Sequence, residues 1–236
     1  MALALAAVAI DIILSMPDVT ALKTRNPGSS ALMEARIREA AREGRRLTVR
    51  QEWVPFDRIP RLLKEAVRVS EDADFYTHNG IDTVELREAV KRNLSEGRFA
   101  RGGSTITQQL AKNLYLATAK SPLRTLTEFF IARRLEKTLT KPRIFHLYLN
   151  LIELGPGVFG VQAAARHYFD RDVSDLNLEQ VVRLTAVIPR PLRADPCGMG
   201  TWIRWRAGWI LKTLWAAKVI EGEEFEEAKS IFDDTP

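Results

Sequence analysis

Three stretches of this sequence hold side chains whose types and spacing suit chemistry as well as packing. Arg101 to Asn113 reads Arg-Gly-Gly-Ser-Thr-Ile-Thr-Gln-Gln-Leu-Ala-Lys-Asn. Gly102 and Gly103 lack a Cβ, so the backbone there can take φ > 0 and come close to a ligand. Thr105-Ile106-Thr107-Gln108 has the form of a capping box, which predicts a helix starting at once, and Ile106, Leu110 and Leu114 recur every four residues as its buried stripe. The opposite face is polar: Gln108, Lys112 and Tyr115 fall at i, i+4 and i+7, with Gln109 and Asn113 beside them. The hydroxyls of Ser104 and Thr105, several amides and one ammonium thus gather at a helix N-terminus, an arrangement that favours anions. A Gly-Gly turn before an ordinary amphipathic helix accounts for this stretch equally well on its own. The other two stretches flank it and are acidic: Glu71 in Glu-Asp-Ala-Asp-Phe-Tyr-Thr-His-Asn-Gly-Ile-Asp, and Glu128 in Arg-Thr-Leu-Thr-Glu.

The elements that must position these groups are mostly helical. Leu62, Leu63, Ala66, Val67 and Val69 follow helical spacing into Ser70-Glu71, and a carboxylate at the end of an apolar helix is placed to have its pKa raised by partial burial. Ala31 to Arg42, ended by Gly44, predicts an earlier helix, and Thr83 to Leu94 another, followed by a basic loop over Ser95 to Arg101. Ala117 to Pro122 makes a break before a long helix from Leu123 to about Leu139, whose cations Arg124, Arg133, Arg134 and Lys137 read mainly as a solvated face. Pro142 suits the first turn of a helix over Ile144 to Leu154. Gly155 to Gly160 is a tight turn into Val161 to Phe169. Asn177-Leu178-Glu179-Gln180 caps one more helix, stopped by Pro189 and Pro191. Arg46 to Pro55 is the one convincing extended segment, too short to found a sheet. The last segment mixes Trp202, Trp205, Trp209 and Trp215 with Arg204 and Arg206; this suits a terminal helix packed on the core, and secondarily a lipid headgroup interface. The fold class expected is all-α.

Composition sets the bounds. The chain has 236 residues, 46% of them hydrophobic, enough for one large domain with an ordinary core. Its 35 Lys+Arg against 30 Asp+Glu give a formal net charge of +5, with a pI of about 9.5, which suggests an acidic partner without choosing among nucleic acid, anionic lipid and a phosphorylated substrate. A single cysteine, Cys197, excludes an internal disulfide, and its turn-like setting makes it incidental. Met1 to Met16 is apolar apart from Asp11 and short of the roughly 20 residues that span a bilayer. It reads as a membrane anchor trimmed at its N-terminus, a signal-peptide core or a first helix of the domain. Lys23 and Arg25 behind it weakly favour a cytoplasmic continuation. The organisation taken forward is an anchor over residues 1–16, a linker over 17–30 and a catalytic domain over 31–236.

Taken together, Glu71-Asp72-x-x-Phe75-x-x-His78-x-Gly80-x-Asp82, Gly102-Gly103-Ser104-Thr105-Ile106-Thr107-Gln108-Gln109-x-x-Lys112-Asn113, Arg124-x-x-x-Glu128, and Tyr148-Leu149-Asn150 with Gly155 and Gly160 strongly resemble the family 51 glycosyltransferases, the peptidoglycan transglycosylases. The resemblance covers about Asn26 to Pro191 and is strongest to the monofunctional biosynthetic type, since the Ser-x-x-Lys, Ser-x-Asn and Lys-Thr-Gly motifs of a penicillin-binding domain are absent. It implies a two-lobed, lysozyme-like helical domain at the outer face of the bacterial cytoplasmic membrane that polymerises lipid II. In that reaction the 4-hydroxyl of one disaccharide attacks the anomeric carbon of the growing chain, which leaves undecaprenyl pyrophosphate with inversion. By the same resemblance Glu71 is the base, Glu128 positions cations or a divalent metal (Mg or Mn), and no organic cofactor takes part. Lys112, Arg124 and the Ser104/Thr105 helix end neutralise the pyrophosphate, with Gln108, Gln109 and Asn113 completing the substrate site. The implied partners are lipid II, the growing glycan strand, the membrane and other cell-wall synthesis proteins.

This sequence departs from the family pattern where Thr125 stands in place of a usual lysine before the second glutamate, with Lys120, Arg124 or Arg133 available to substitute. His146 and Gln180 replace usual glutamates at positions that look structural. His78 reads as a hydrogen-bonded structural residue, and His78, His146 and His167 have no metal-ligand spacing. Asn150 reads as a helix cap or brace. Two rival functions remain at this stage: a lytic, lysozyme-like glycosidase, which also uses a glutamate in a helical cleft, and a basic, membrane-attached binding module that has lost catalysis. Nucleic-acid binding has no recognised motif behind it.

Overall fold

The computed structural model describes residues 16–82, 103–116 and 122–233. Among them nine α-helices surround one three-stranded sheet, so the mainly helical class expected from sequence is the class observed. The predicted helix over Thr83 to Leu94, the basic loop after it, Gly102 and most of the break before the long helix lie outside the described residues, as do Met1 to Ser15 of the expected anchor. Among the described residues no helix is long and apolar enough to cross a membrane.

The organising helix is α5 (Lys141–Leu151). Ile144, Phe145, Leu147, Tyr148, Leu149, Asn150 and Leu151 are all buried, and a helix apolar on nearly every side has to run through the core. Thr140 caps it by accepting from Arg143 N, and Pro142 sits in the first turn, where its missing N–H is no loss. Around it lie α3 (Ile106–Tyr115), α4 (Pro122–Thr138) and α6 (Val161–Phe169), with α1 (Ala31–Arg42) on the far side of α3. A second group packs about α2 (Arg61–Glu71), which lies against α7 (Leu178–Val187) and α8 (Thr201–Ala216); α9 (Gly222–Asp233) closes over α8. Phe75, just past the end of α2, joins the groups: its ring lies 5.4 Å from that of Phe145.

The sheet has the order β1-β3-β2, with β1 (Arg50–Gln51) parallel to β3 (Val158–Phe159) and β2 (Glu153–Gly155) antiparallel to it. The extended segment expected at Arg46 to Pro55 therefore contributes an edge strand. The helix expected to reach Leu154 instead ends at Leu151, and the chain turns into β2. A non-local contact explains the early stop. Buried Glu153 receives both Nε and Nη2 of Arg36, each at 2.8 Å, across 117 residues of chain. Gly160, at φ +81°, then lets the chain pass Asn150: a Cβ there would lie 2.5 Å from the Asn150 carbonyl oxygen.

Asn150 braces this junction, as its polarity in an apolar helix suggests. Fully buried, it accepts from Val54 N at 2.8 Å and donates to Val54 O at 3.2 Å and His146 O at 2.9 Å. His146 also reaches Val54 O, at 2.9 Å, through Nε2, while Nδ1 takes a contact from Arg143. Burial lowers the His146 pKa and favours this neutral, structural form.

Candidate active site

The N-terminus of α3 is assembled by the residues that precede and follow it. Thr105 is the N-cap, and the capping box read from sequence is present: Gln108 N donates to Thr105 Oγ1 at 3.2 Å, and Thr105 N donates to Gln108 Oε1 at 3.0 Å. Thr105 Oγ1 also donates to Gly80 O at 2.7 Å. Buried Asp72, next to Glu71, accepts from Ile106 N at 2.9 Å through Oδ2 and meets His78 Nε2 at 2.8 Å through Oδ1. Gly80 N donates to His78 Nδ1 at 3.1 Å, which leaves the imidazole proton on Nε2, facing Asp72. His78 is thus the structural residue its sequence setting suggests. Behind this knot Glu136 accepts from Thr107 Oγ1 and from Lys141 Nζ, whose ammonium lies 4.4 Å from the Phe75 ring centre. The loop carrying Glu71 and the start of α3 are therefore one rigid unit.

Glu71 ends α2 with its side chain 9% exposed. Gln109 Nε2 donates to its Oε2 at 3.1 Å, and Gln109 Oε1 in turn accepts from the fully buried Tyr148 hydroxyl at 2.9 Å. Arg206 Nη2, arriving from α8, donates to Glu71 Oε1 at 3.0 Å and to Ser70 O at 3.2 Å. Burial raises the Glu71 pKa, opposed in order by the charge of Arg206, the Gln109 hydrogen bond, the Arg206 hydrogen bond and the charge of Lys112. Glu128 on α4 is buried too. Its pKa is raised by burial and held back by Lys112 and then Arg124. Lys112 acts on both carboxylates, and so α3 carries the cation that joins the two acidic sites.

Of the residues singled out from sequence, Glu71, Gln109, Lys112, Glu128 and Arg124 are brought together. Ser104 is exposed at the mouth of α3, Thr105 and Gln108 spend their polar groups on the capping box, and Asn113 is buried on the same helix. Among the substitutes for the lysine replaced by Thr125, Arg133 Nη1 lies 3.4 Å from Asn79 O, near the Glu71 loop; Lys120 is outside the described residues. Arg206 was missed. Its sequence neighbourhood of tryptophans reads as packing or headgroup contact, and the available hint was its place at i+4 from Trp202 and i−3 from Trp209. Those two tryptophans are half-buried as the core reading requires, whereas Trp205 is 59% exposed. Near Glu128 the charges are the cations Lys112 and Arg124, and among the described residues no three His, Cys, Asp or Glu side chains converge on a common point. That donor set does not fit a divalent ion.

A buried carboxylate with donors on both oxygens, beside an ammonium at a helix N-terminus, can accept a proton while anionic charge develops next to it. Such a site belongs to a group-transfer enzyme whose leaving group is an anion. The transglycosylase family profile matches residues 39–214, and the chain belongs to this family. It is 41% identical to a biosynthetic peptidoglycan transglycosylase of Nitrosospira multiformis over 82% of this chain and 84% of that one. Proteins of the same name from Methylobacillus flagellatus (46% over 72% of this chain and 74% of the relative) and Burkholderia pseudomallei (42% over 82% and 76%) are similarly related.

Proposed function

We propose that this protein is a peptidoglycan glycosyltransferase that joins lipid II units into glycan strands, with Glu71 as the base. The observation that carries the reading is the double donation to Glu71, by Arg206 on one oxygen and Gln109 on the other. A carboxyl ringed by donors is held as the ionised acceptor. A lytic glycosidase needs the reverse, a protonated carboxyl ready to give its proton to the glycosidic oxygen. A sugar hydroxyl is a poor nucleophile until its proton is removed, so Glu71 takes the proton of the attacking 4-hydroxyl as that oxygen bonds to the anomeric carbon. The bond from that carbon to the pyrophosphate breaks with its electron pair going to the phosphate oxygen. Lys112, Arg124 and the N-terminus of α3 meet that charge. Glu128 holds Lys112 and Arg124 in place, and we assign no step to a divalent cation. The lipid-linked substrate places the reaction at the outer face of the cytoplasmic membrane, where other cell-wall synthesis proteins act on the product.

Incubation of purified protein with labelled lipid II, followed by separation of products by size, tests the reading. Wild type is expected to yield polymer and Glu71→Gln none, with the variant still folded because an isostere replaces the carboxylate. Polymerisation by folded Glu71→Gln at the wild-type rate would remove Glu71 from the chemistry.

A further inference from the structure

Arg206 lies on the eighth helix, far in sequence from Glu71, Gln109, Lys112 and Glu128. We infer that Arg206 is a positioning residue for Glu71: together with Gln109, whose amide is oriented by Tyr148, it clamps the two carboxylate oxygens and holds the base in one rotamer and ionised until the acceptor hydroxyl arrives. The inference rests on the reading of Glu71 as the base.

Three features of the geometry support it. First, one guanidinium nitrogen serves both the Ser70 carbonyl and Glu71 Oε1, at 3.2 and 3.0 Å, so Arg206 grips the last turn of α2 as well as the side chain it ends in. Second, the Arg206 guanidinium carbon lies 4.4 Å from the Trp209 ring centre, and its side chain is 12% exposed. A planar cation held on an aromatic face and shielded from water loses little freedom in making its hydrogen bonds. Third, the opposing clamp cannot flip. The Tyr148 hydroxyl donates to Gln109 Oε1, so the amide must present Nε2 to Glu71 Oε2. Each carboxylate oxygen has more than one acceptor site, and the clamped ion can still take a proton from a substrate.

The groups facing Glu71 are Arg206 from α8, Lys112 and Gln109 from α3, and Tyr148 from α5, with Asp72 beside it in the chain. Lys112 is therefore the remaining cation when Arg206 is neutralised. A substrate anion arriving at Lys112 draws that charge away from the base, which leaves Arg206 as the cation that keeps Glu71 ionised during leaving-group departure.

The test compares full-length wild type with Arg206→Met, Arg206→Gln and Arg206→Lys in two measurements. One is the pH dependence of kcat/KM for lipid II polymerisation. The other is titration of the Glu71 carboxyl by carbon-13 NMR of glutamate-labelled protein, assigned by the signal lost in Glu71→Gln. In the Met and Gln variants both the carboxyl titration and the acid limb are expected to move up by about one pH unit or more, the scale for an opposite charge at this range. Neutral-pH activity should fall about tenfold per unit and recover at higher pH, and the Lys variant should restore most of the shift. Two neutral variants are used so that a failure of either one to fold leaves the other to decide. An unmoved titration and acid limb with activity lowered at every pH would overturn the inference, since a residue that only packs or only binds substrate behaves so. Activity persisting in Glu71→Gln would instead overturn the base assignment, and the carboxyl titration would still report on the clamp.

Discussion

Lys112 stands within electrostatic reach of both glutamates, and its ammonium is the one charge that can follow the reaction from base to leaving group. If it meets the departing pyrophosphate, Lys112→Ala should lose about 2.7–4 kcal/mol of transition-state stabilisation, or roughly 10²–10³ in kcat. An effect confined to KM would mean that Lys112 merely holds substrate. The family pattern offers a companion variant, because Thr125 is exposed on α4, in the turn between Arg124 and Glu128. Thr125→Lys is expected to keep or raise activity, and initial rates at limiting and saturating lipid II for both variants read the two effects. At this scale Glu71, Glu128, Gln109 and Lys112 could be picked out from sequence because they sit in local patterns: a helix end, a capping box, a polar stripe. Arg206 could not, since its value lies in where α8 lands on α2, and a tryptophan-rich helix fits several environments equally well.

The helices are most legible where a side chain closes on its own backbone. Both capping boxes, Thr105 with Gln108 and Asn177 with Gln180, form as their spacing indicates, because the partners are three residues apart and need no tertiary help. The end of α5 was misplaced for the opposite reason. Leu147 to Leu154 contains no breaker, and the stop at Leu151 depends on Arg36 drawing Glu153 out of the helical path. Asn150 holds that turn against the segment at Val54, which makes α5 and the approach to α2 one mechanical unit. Asn150→Ala would leave the buried Val54 N–H without its acceptor at a cost of roughly 1–3 kcal/mol. Asn150→Asp keeps that acceptor but turns a carboxylate oxygen towards the carbonyls of Val54 and His146, where the amide donated. Urea unfolding should therefore show Asp more destabilising than Ala at neutral pH. Equal or milder loss in the Asp variant would mean that the donor side of Asn150 contributes little.

Across the whole molecule, helices from distant parts of the chain enclose two carboxylates whose burial opposes the ionised form. Such a site lowers stability in a pH-dependent way, and the sign follows from linkage. The folded pKa of Glu71 is raised above its ordinary value, so as pH rises the unfolded chain releases this proton before the folded one does. The folded state then binds the extra proton, and stability falls with rising pH through the window between the ordinary glutamate range and the folded pKa, levelling off above it. His146 acts in the other sense: its folded pKa is lowered, and stability is lost as pH falls through the ordinary histidine range. The two effects overlap in any scan of wild type alone, so the measurement has to be a difference between proteins that share His146. Glu71→Gln removes one titrating group and leaves His146 in place. Its midpoint of thermal unfolding minus that of wild type should therefore grow from acid to neutral pH, whatever its offset in acid, and Glu128→Gln should show the same trend. A difference that shrinks as pH rises would mean that Arg206, Gln109 and Lys112 outweigh burial and that the ionised glutamate stabilises the fold.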